Sequence, residues 1–263
     1  MRNLRDIFDC CRGILVKRRL PSGGWSFNLS DQWSTEMTAL ALLGLRLEGG
    51  SACAKGMELL LSQQNPDGSW PAFRGDAPEG SWTTALAVLV LIRLNGGWSA
   101  VEKGMQWLLQ ERGRESEWFE KWRYRLLDRH VQFNPEKYGW PWCPGSSSWV
   151  VPTAYSLIAL QHYFCCSATP QGSLRIQKGK EMLFDRACPG GGWNAGNSVA
   201  FGTPLDPQAD VTALALLALL PEKDQGMYAT PNYFWMLVVW GESCIKRTSP
   251  LLTSTGMNSR KPH

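Results

Sequence analysis

The chain has 263 residues, with 27 Lys and Arg against 23 Asp and Glu and a net charge of +4, a length that suits one large domain with a substantial core. A hydrophobic content of 44% excludes a disordered chain, and 26 Gly with 16 Pro are too few for a collagen-like or low-complexity one. The small, dispersed charge gives no footprint for nucleic acid, and the outlier in composition is Trp, with 14 residues.

In chain order, the start MRNLRDIFDCCRGILVKRRL carries early charges without a long apolar run, so it does not read as a signal peptide. A first helix is expected from about Leu4. The turn Pro21-Ser22-Gly23-Gly24 leads to Trp25, and an apolar helix follows from Ser34 (STEMTALALLGL), stopped by Gly49-Gly50. A second amphipathic helix starts at Ser51 and runs through KGMELLLSQQNPDGSW, where Asn65-Pro66-Asp67-Gly68 is a strong turn signal before Trp70. Its apolar follower is SWTTALAVLVLI from Ser81, ended by Asn95-Gly96-Gly97. The third outer helix is expected near Ala100 (AVEKGMQWLLQ), its repeat closing at Trp118.

The period then breaks. Residues 113–148 form an aromatic insertion holding Trp122, Trp140, Trp142, Tyr124 and Tyr138 among Lys121, Arg123, Arg125 and Arg129. Such a long segment reads as functional or as a cover over one mouth of the domain. Beyond it come an apolar helix from Val150 (VVPTAYSLIAL), an outer helix near Leu174, the turn Pro189-Gly190-Gly191-Gly192 before Trp193, and an apolar helix from Ala209 (ADVTALALLALL). A fifth outer helix is expected from Pro231, and residues 248–263 read as a polar, disordered tail.

The unit is thus an amphipathic outer helix, a turn with Gly and Trp, and an apolar inner helix. It occurs at Arg12-Gly13 to Trp25, Lys55-Gly56 to Trp70, Lys103-Gly104 to Trp118 and Lys178-Gly179 to Trp193. Helices apolar all round are buried or face an apolar cavity, and repeated hairpins of this kind form a ring or solenoid. The expected fold is all-α, one toroid of about four to five hairpins over residues 1–247. The apolar runs Val211–Leu220 and Tyr233–Trp240 are too short to span a bilayer. A cytoplasmic place follows, with Tyr233–Trp240 as a candidate peripheral membrane contact.

Eight cysteines without a C-x-x-C pair read as mostly buried thiols. No Cys or His spacing suits zinc; His130 sits in the insertion, His162 closes an inner helix, and His263 is terminal. Neither a metal nor a cofactor is expected.

Lys55–Trp70, as K-G-x-x-x-L-L-x-x-Q-x-x-x-G-x-W, resembles the QW motif of squalene–hopene and oxidosqualene cyclases, and the T-A-x-A-L-L-x-L helices resemble the same superfamily, which includes protein prenyltransferase β subunits. The resemblance covers about residues 1 to 245 and implies an α/α toroid in which the Trp stacks on an outer helix and a Gln (here Gln63 or Gln64) ties one repeat to the next. Lys178–Trp193 has Asp185-Arg186 in place of that Gln. A closed ring of this family has six hairpins, so this one is open, irregular in its last hairpins, or completed by a second copy of the chain.

The resemblance also points to chemistry. Class II terpene cyclases protonate an alkene or epoxide with D-x-D-D just before Thr-Ala. The matching stretch is Gln208-Ala209-Asp210-Val211-Thr212-Ala213, with Asp210 at the position of the acid and Gln208 and Val211 in place of its acidic neighbours. Glu36 holds the same position before Thr38-Ala39, and Asp206 lies one turn before Asp210. The plainer role of both is a carboxylate in the first turn of a helix. Trp33, Trp82 and Trp149 precede inner helices and are the expected substrate-binding aromatics, as carbocation or ligand platforms or as packing at the mouth. Three readings follow: a cyclase-like enzyme acting on a polyprenyl or triterpenoid by protonation, a non-catalytic toroid that binds an isoprenoid, lipid or peptide, and a carbohydrate-active toroid using Glu36 and Asp210 as paired carboxylates.

Overall fold

The computed structural model describes residues 4–27, 31–45, 51–76, 80–126, 133–165, 167–200 and 202–220. The helix expected from Pro231, the segment Tyr233–Trp240, the tail, His130 and His263 lie outside them. Among the described residues the chain is helical, apart from one short antiparallel pair, Val199–Ala200 with Thr203–Pro204. The outer helices are α1 (Leu4–Lys17), α3 (Ser51–Ser62), α5 (Trp98–Gln110) and α8 (Pro170–Asp185). The inner ones are α2 (Thr35–Leu45), α4 (Thr83–Arg93), α7 (Val150–Phe164) and α9 (Ala209–Leu219), while α6 (Trp118–Leu126) belongs to the insertion.

Apolar pattern decides the layer. In α4 every residue from Thr83 to Leu91 is buried, as a helix apolar all round requires. In α5 the buried residues Val101, Gly104, Met105 and Leu108 follow three-and-four spacing, which leaves one face to water. The inner helices pack in the order α2, α4, α7, α9, and α3, α5 and α8 each lie on an inner neighbour. No comparable packing joins α9 back to α2 among the described residues. α8 starts at Pro170, four residues before the sequence expectation. Thr169 Oγ1 accepts from Gly172 N at 3.1 Å with Pro170 in the first position, a start signal the apolar periodicity does not carry.

One joint recurs. Trp25, Trp70 and Trp193 each donate Nε1–H to the carbonyl ten residues earlier, on Leu15, Leu60 and Leu183, at 2.8, 2.7 and 2.6 Å. The backbone N–H of each turn tryptophan donates to a threonine at the head of the next inner helix: Trp25 to Thr38, Trp70 to Thr84, Trp193 to Thr212. In the third hairpin the sequence points to Trp118, but Trp118 is 81% exposed. Trp140 does the work instead: its Nε1 donates to Leu108 O at 2.8 Å and its backbone N to Thr153 Oγ1 at 2.9 Å. The insertion therefore lies between an outer helix and its own tryptophan.

Three of these indoles then meet a glycine of the next outer helix. A Cβ on Gly56, Gly104 or Gly179 would stand 3.2, 2.8 or 2.7 Å from an edge carbon of Trp25, Trp70 or Trp140. These glycines sit four residues before the carbonyl that receives the following tryptophan. In α1 that register falls on Cys11, not on Gly13, which faces open space. Gly68, at φ +94°, turns the chain so closely that a Cβ would lie 2.5 Å from the Lys103 carbonyl. Gln64 completes this joint, donating from Nε2 to Gly68 O and to Ala100 O at 2.9 and 2.8 Å, whereas Gln63 bonds only its exposed neighbour Ser62. The thiols depart from expectation: Cys53 and Cys188 are buried, but Cys10, Cys143 and Cys165 are exposed.

Candidate functional site

The threonine joints fix where the inner helices begin, and so which residues share one mouth. Two residues before Thr38, Thr84, Thr153 and Thr212 stand Glu36, Trp82, Val151 and Asp210. These are equivalent positions in the repeat, and the sequence comparison had paired only Glu36 with Asp210.

Trp82 carries an aromatic cluster. Its ring meets Trp142 edge-on at 5.0 Å between centroids and lies tilted by 33° over Tyr155 at 5.6 Å. The backbone holds this arrangement, since Trp82 N donates to Trp142 O at 3.1 Å. Trp142 comes from the insertion, and Tyr155 lies one turn beyond Val151 on α7. Sequence reasoning placed Trp142 only in the insertion and missed Tyr155 altogether. It sits within a T-A-x-x-L helix pattern where an apolar core residue is the plain expectation, and only its phenol distinguishes it.

Both carboxylates act on this cluster. Burial holds the Tyr155 phenol well above its usual range, and the charges of Glu36 and then Asp210 push it the same way. Glu36, half-buried in the first turn of α2, has its carboxyl raised from 4.5 to about 7 by burial. Asp210 is exposed in the first turn of α9, and Asp206 is exposed in the loop before it. The arrangement is thus a half-buried carboxyl and an exposed one whose charges both reach a half-buried phenol set against two indoles.

The other predicted aromatics stand apart from these ring contacts. Trp33 is buried at 3% exposure, packed where a Cβ on Gly24 would lie 2.9 Å away, and its carbonyl accepts from Arg74 N. Trp149 is 38% exposed, its ring edge against Gly196 and its N–H bonded to Trp140 O. A separate open groove of about 540 Å³ runs between α5 and the corner joining α7 to α8, lined by Met105, Leu109, Phe164 and Gln171, and shares no residue with the cluster. Among the described residues no three His, Cys, Asp or Glu side chains converge as a metal site, and no helix is long and apolar enough to cross a membrane.

The insertion is anchored under the site. Glu115 is fully buried and accepts from Ser148 N, and Arg114 N donates to Ser146 O, which pins the loop that carries Trp142. Arg175 of α8 donates from Nη2 to Glu111 O and Gly139 O at 2.9 and 2.6 Å, with its guanidinium 3.3 Å from the Trp140 ring centroid.

No protein-family model matches the chain, and no curated protein matches its sequence. Solved structures do resemble it. Protein geranylgeranyltransferase-I of Candida albicans, complexed with GGPP, is 16% identical at a TM-score of 0.50, over 71% of this chain and 48% of that one. A type II terpene cyclase variant from Scytonema, in complex with geranylgeranyl dihydroxybenzoate, is 14% identical at 0.51, over 90% and 64%. A structure described as a novel alpha-amylase from Clostridium perfringens is 8% identical at 0.53, over 94% and 73%. The chain thus spans less than two thirds of the first two. At these identities the likeness is one of fold, and the fold is the all-α α/α toroid of terpene cyclases and protein prenyltransferases.

Proposed function

We propose that this chain is a cyclase-like toroid that takes a polyprenyl substrate against Trp82, Trp142 and Tyr155 and protonates it with Glu36. The observation that carries this is the Glu36 carboxyl, held at about 7 by burial beside the aromatic cluster. A carboxyl in water is ionised at neutral pH and has no proton to give; this one is about half protonated near pH 7. The proton moves from the Glu36 carboxyl to the terminal epoxide oxygen or alkene carbon of the chain, and leaves Glu36 as the anion. The developing cation faces indole and phenol rings, each contributing about 0.5–2 kcal/mol. Asp210, exposed in the first turn of α9, is the second carboxyl whose charge reaches Tyr155. The two solved toroids with geranylgeranyl ligands support a substrate of that class, and the Trp–Gly joints with Gln64 support the QW reading of the repeat.

The test is incubation with squalene, its epoxide and geranylgeranyl compounds, with product read by mass spectrometry. Glu36→Gln is expected to lower turnover by about 100-fold or more. Because the acid must be protonated, kcat/KM should be level below about pH 7 and fall above it. Product formation by Glu36→Gln at the wild-type rate would remove Glu36 from this role.

Two carboxyls whose charges both reach Tyr155 favour a second reading, a carbohydrate-active toroid, and the amylase neighbour shares the fold. Release of sugar from an α-glucan, abolished by Glu36→Gln, would select it over the isoprenoid. Binding of a polyprenyl without turnover, unchanged in Glu36→Gln, would select the non-catalytic toroid.

A further inference from the structure

Helix α6 presents an aromatic face that is exposed among the described residues. Trp118, Phe119 and Trp122 are 81%, 53% and 54% exposed. Their rings form one run, Trp118 to Phe119 at 6.0 Å and Phe119 to Trp122 at 6.5 Å. Single exposed aromatics are ordinary, but three joined on one turn of a projecting helix are a contiguous apolar patch. The opposite side of α6 is fastened down. Glu120 is 3% exposed and pairs with both Arg114 and Arg123, at 2.9 and 2.7 Å. Lys121 pairs with Glu136 across the insertion at 2.8 Å. The patch is therefore held outward by ion pairs.

Charge selects the occupant. Residues 112–125 carry five cations (Arg112, Arg114, Lys121, Arg123, Arg125) against three carboxylates. Arg114 and Arg123 share the buried Glu120 and Lys121 pairs with Glu136, while Arg112 and Glu117 are exposed, so the segment keeps a net positive charge. An exposed run of tryptophan and phenylalanine on a net positive segment matches the interface of a bilayer with anionic headgroups. There the rings sit at the headgroup–acyl boundary and each nearby cation adds to the attraction. We propose that α6 docks the chain on anionic membrane surfaces, with Trp118, Phe119 and Trp122 inserted into the interface. This surface is distinct from the aromatic cluster, and Arg114 N bonded to Ser146 O links it to the loop that carries Trp142. The proposal stands whether or not Glu36 is catalytic.

Co-sedimentation of the full chain with phosphatidylcholine vesicles, with and without phosphatidylserine, tests it. Binding is expected with phosphatidylserine, weaker at high salt and much weaker on phosphatidylcholine alone. Trp118→Ser with Trp122→Ser should lower vesicle affinity about tenfold or more per tryptophan. Their side chains are exposed, so helicity by circular dichroism should not change; Phe119→Ser made alone probes the same face at a second position. Trp98, 48% exposed on α5, is the control, and Trp98→Ser should bind as wild type does. Absence of binding, equal binding to both vesicle types, or full binding by the α6 variants would overturn the proposal. So would a wild-type dimer that the α6 variants dissociate, since the patch would then be a protein interface.

Discussion

The Glu36 carboxyl makes a claim about stability as well as chemistry. Below pH 4.5 it is protonated both folded and unfolded, and its burial has no pH-linked cost. Between 4.5 and about 7 the unfolded chain ionises while the folded one does not, so folding weakens as pH rises, and above about 7 the whole cost is present. Glu36→Gln removes it. Urea unfolding should show the variant more stable than wild type at pH 8, on the order of 2 kcal/mol, and indistinguishable at pH 4. Equal stability at both pH values would mean the carboxyl is not buried as described. A second residue-scale expectation concerns the threonine joint. Thr153→Val keeps the volume but strands Trp140 N–H, whose acceptor is the Thr153 hydroxyl at 2.9 Å. The loss should be about 1–3 kcal/mol in thermal or urea unfolding. The carboxylates were legible in the sequence because helix heads are marked by Thr-Ala. The environment that separates half-buried Glu36 from exposed Asp210 was not, because it depends on which neighbouring elements cover each head.

Elements were legible to the extent that their signals are local. The four inner helices begin within two residues of expectation, since apolar runs bounded by turns are local features. The third turn tryptophan was not, because Trp118 lies near the usual distance from Lys103 while Trp140 lies 32 residues beyond the Leu108 carbonyl it bonds. The right indole is identified by long-range contacts, its bonds to Leu108 O and Thr153 Oγ1 and its packing against Gly179. The same geometry predicts opposite outcomes for two helical glycines. Gly104→Ala would place a Cβ 2.6 Å from Val88 and 2.8 Å from Trp70, and should cost about 1–3 kcal/mol. Gly13→Ala meets open space in the interior of α1 and should gain up to about 1 kcal/mol from helix propensity alone. Thermal melts of the two variants side by side check the register. Two losses of similar size would show that α1 also carries a seated indole.

At the scale of the whole molecule, the toroid tolerates an insertion because one joint reverses its polarity. Between the second and third hairpins the donor is Gln64, reaching forward to Ala100 O. Between the third and fourth it is Arg175, which occupies the register of Ala100 and reaches back to Glu111 O and Gly139 O. Burial lowers this guanidinium to about 9; the stack on Trp140 and two carbonyls offset only part of its desolvation, since Nε and Nη1 are buried without a hydrogen-bond partner. Sequence pattern put the missing Gln in the next repeat, at Asp185-Arg186, and gave no sign of Arg175 at this joint, since that donor comes from the following helix. The exchange predicts a chimera. Replacing residues 109–139 by the sequence of Leu61–Ser69 restores the ten-residue spacing seen between Leu60 and Trp70. It also removes Glu111 and puts Ser69 in place of Gly139, so of the two carbonyl partners of Arg175 only the one before Trp140 keeps a counterpart. With Arg175 retained, the chimera buries a cation short of one acceptor and should lose about 1–3 kcal/mol relative to the same chimera carrying Arg175→Ala. The latter should unfold in one cooperative transition with the helicity of the parent, because the grafted Gln regains the carbonyl of residue 175. If neither version folds, the buried Glu115 and Glu120 are part of the core that closes the third hairpin, and the insertion is structural rather than an addition to a complete repeat.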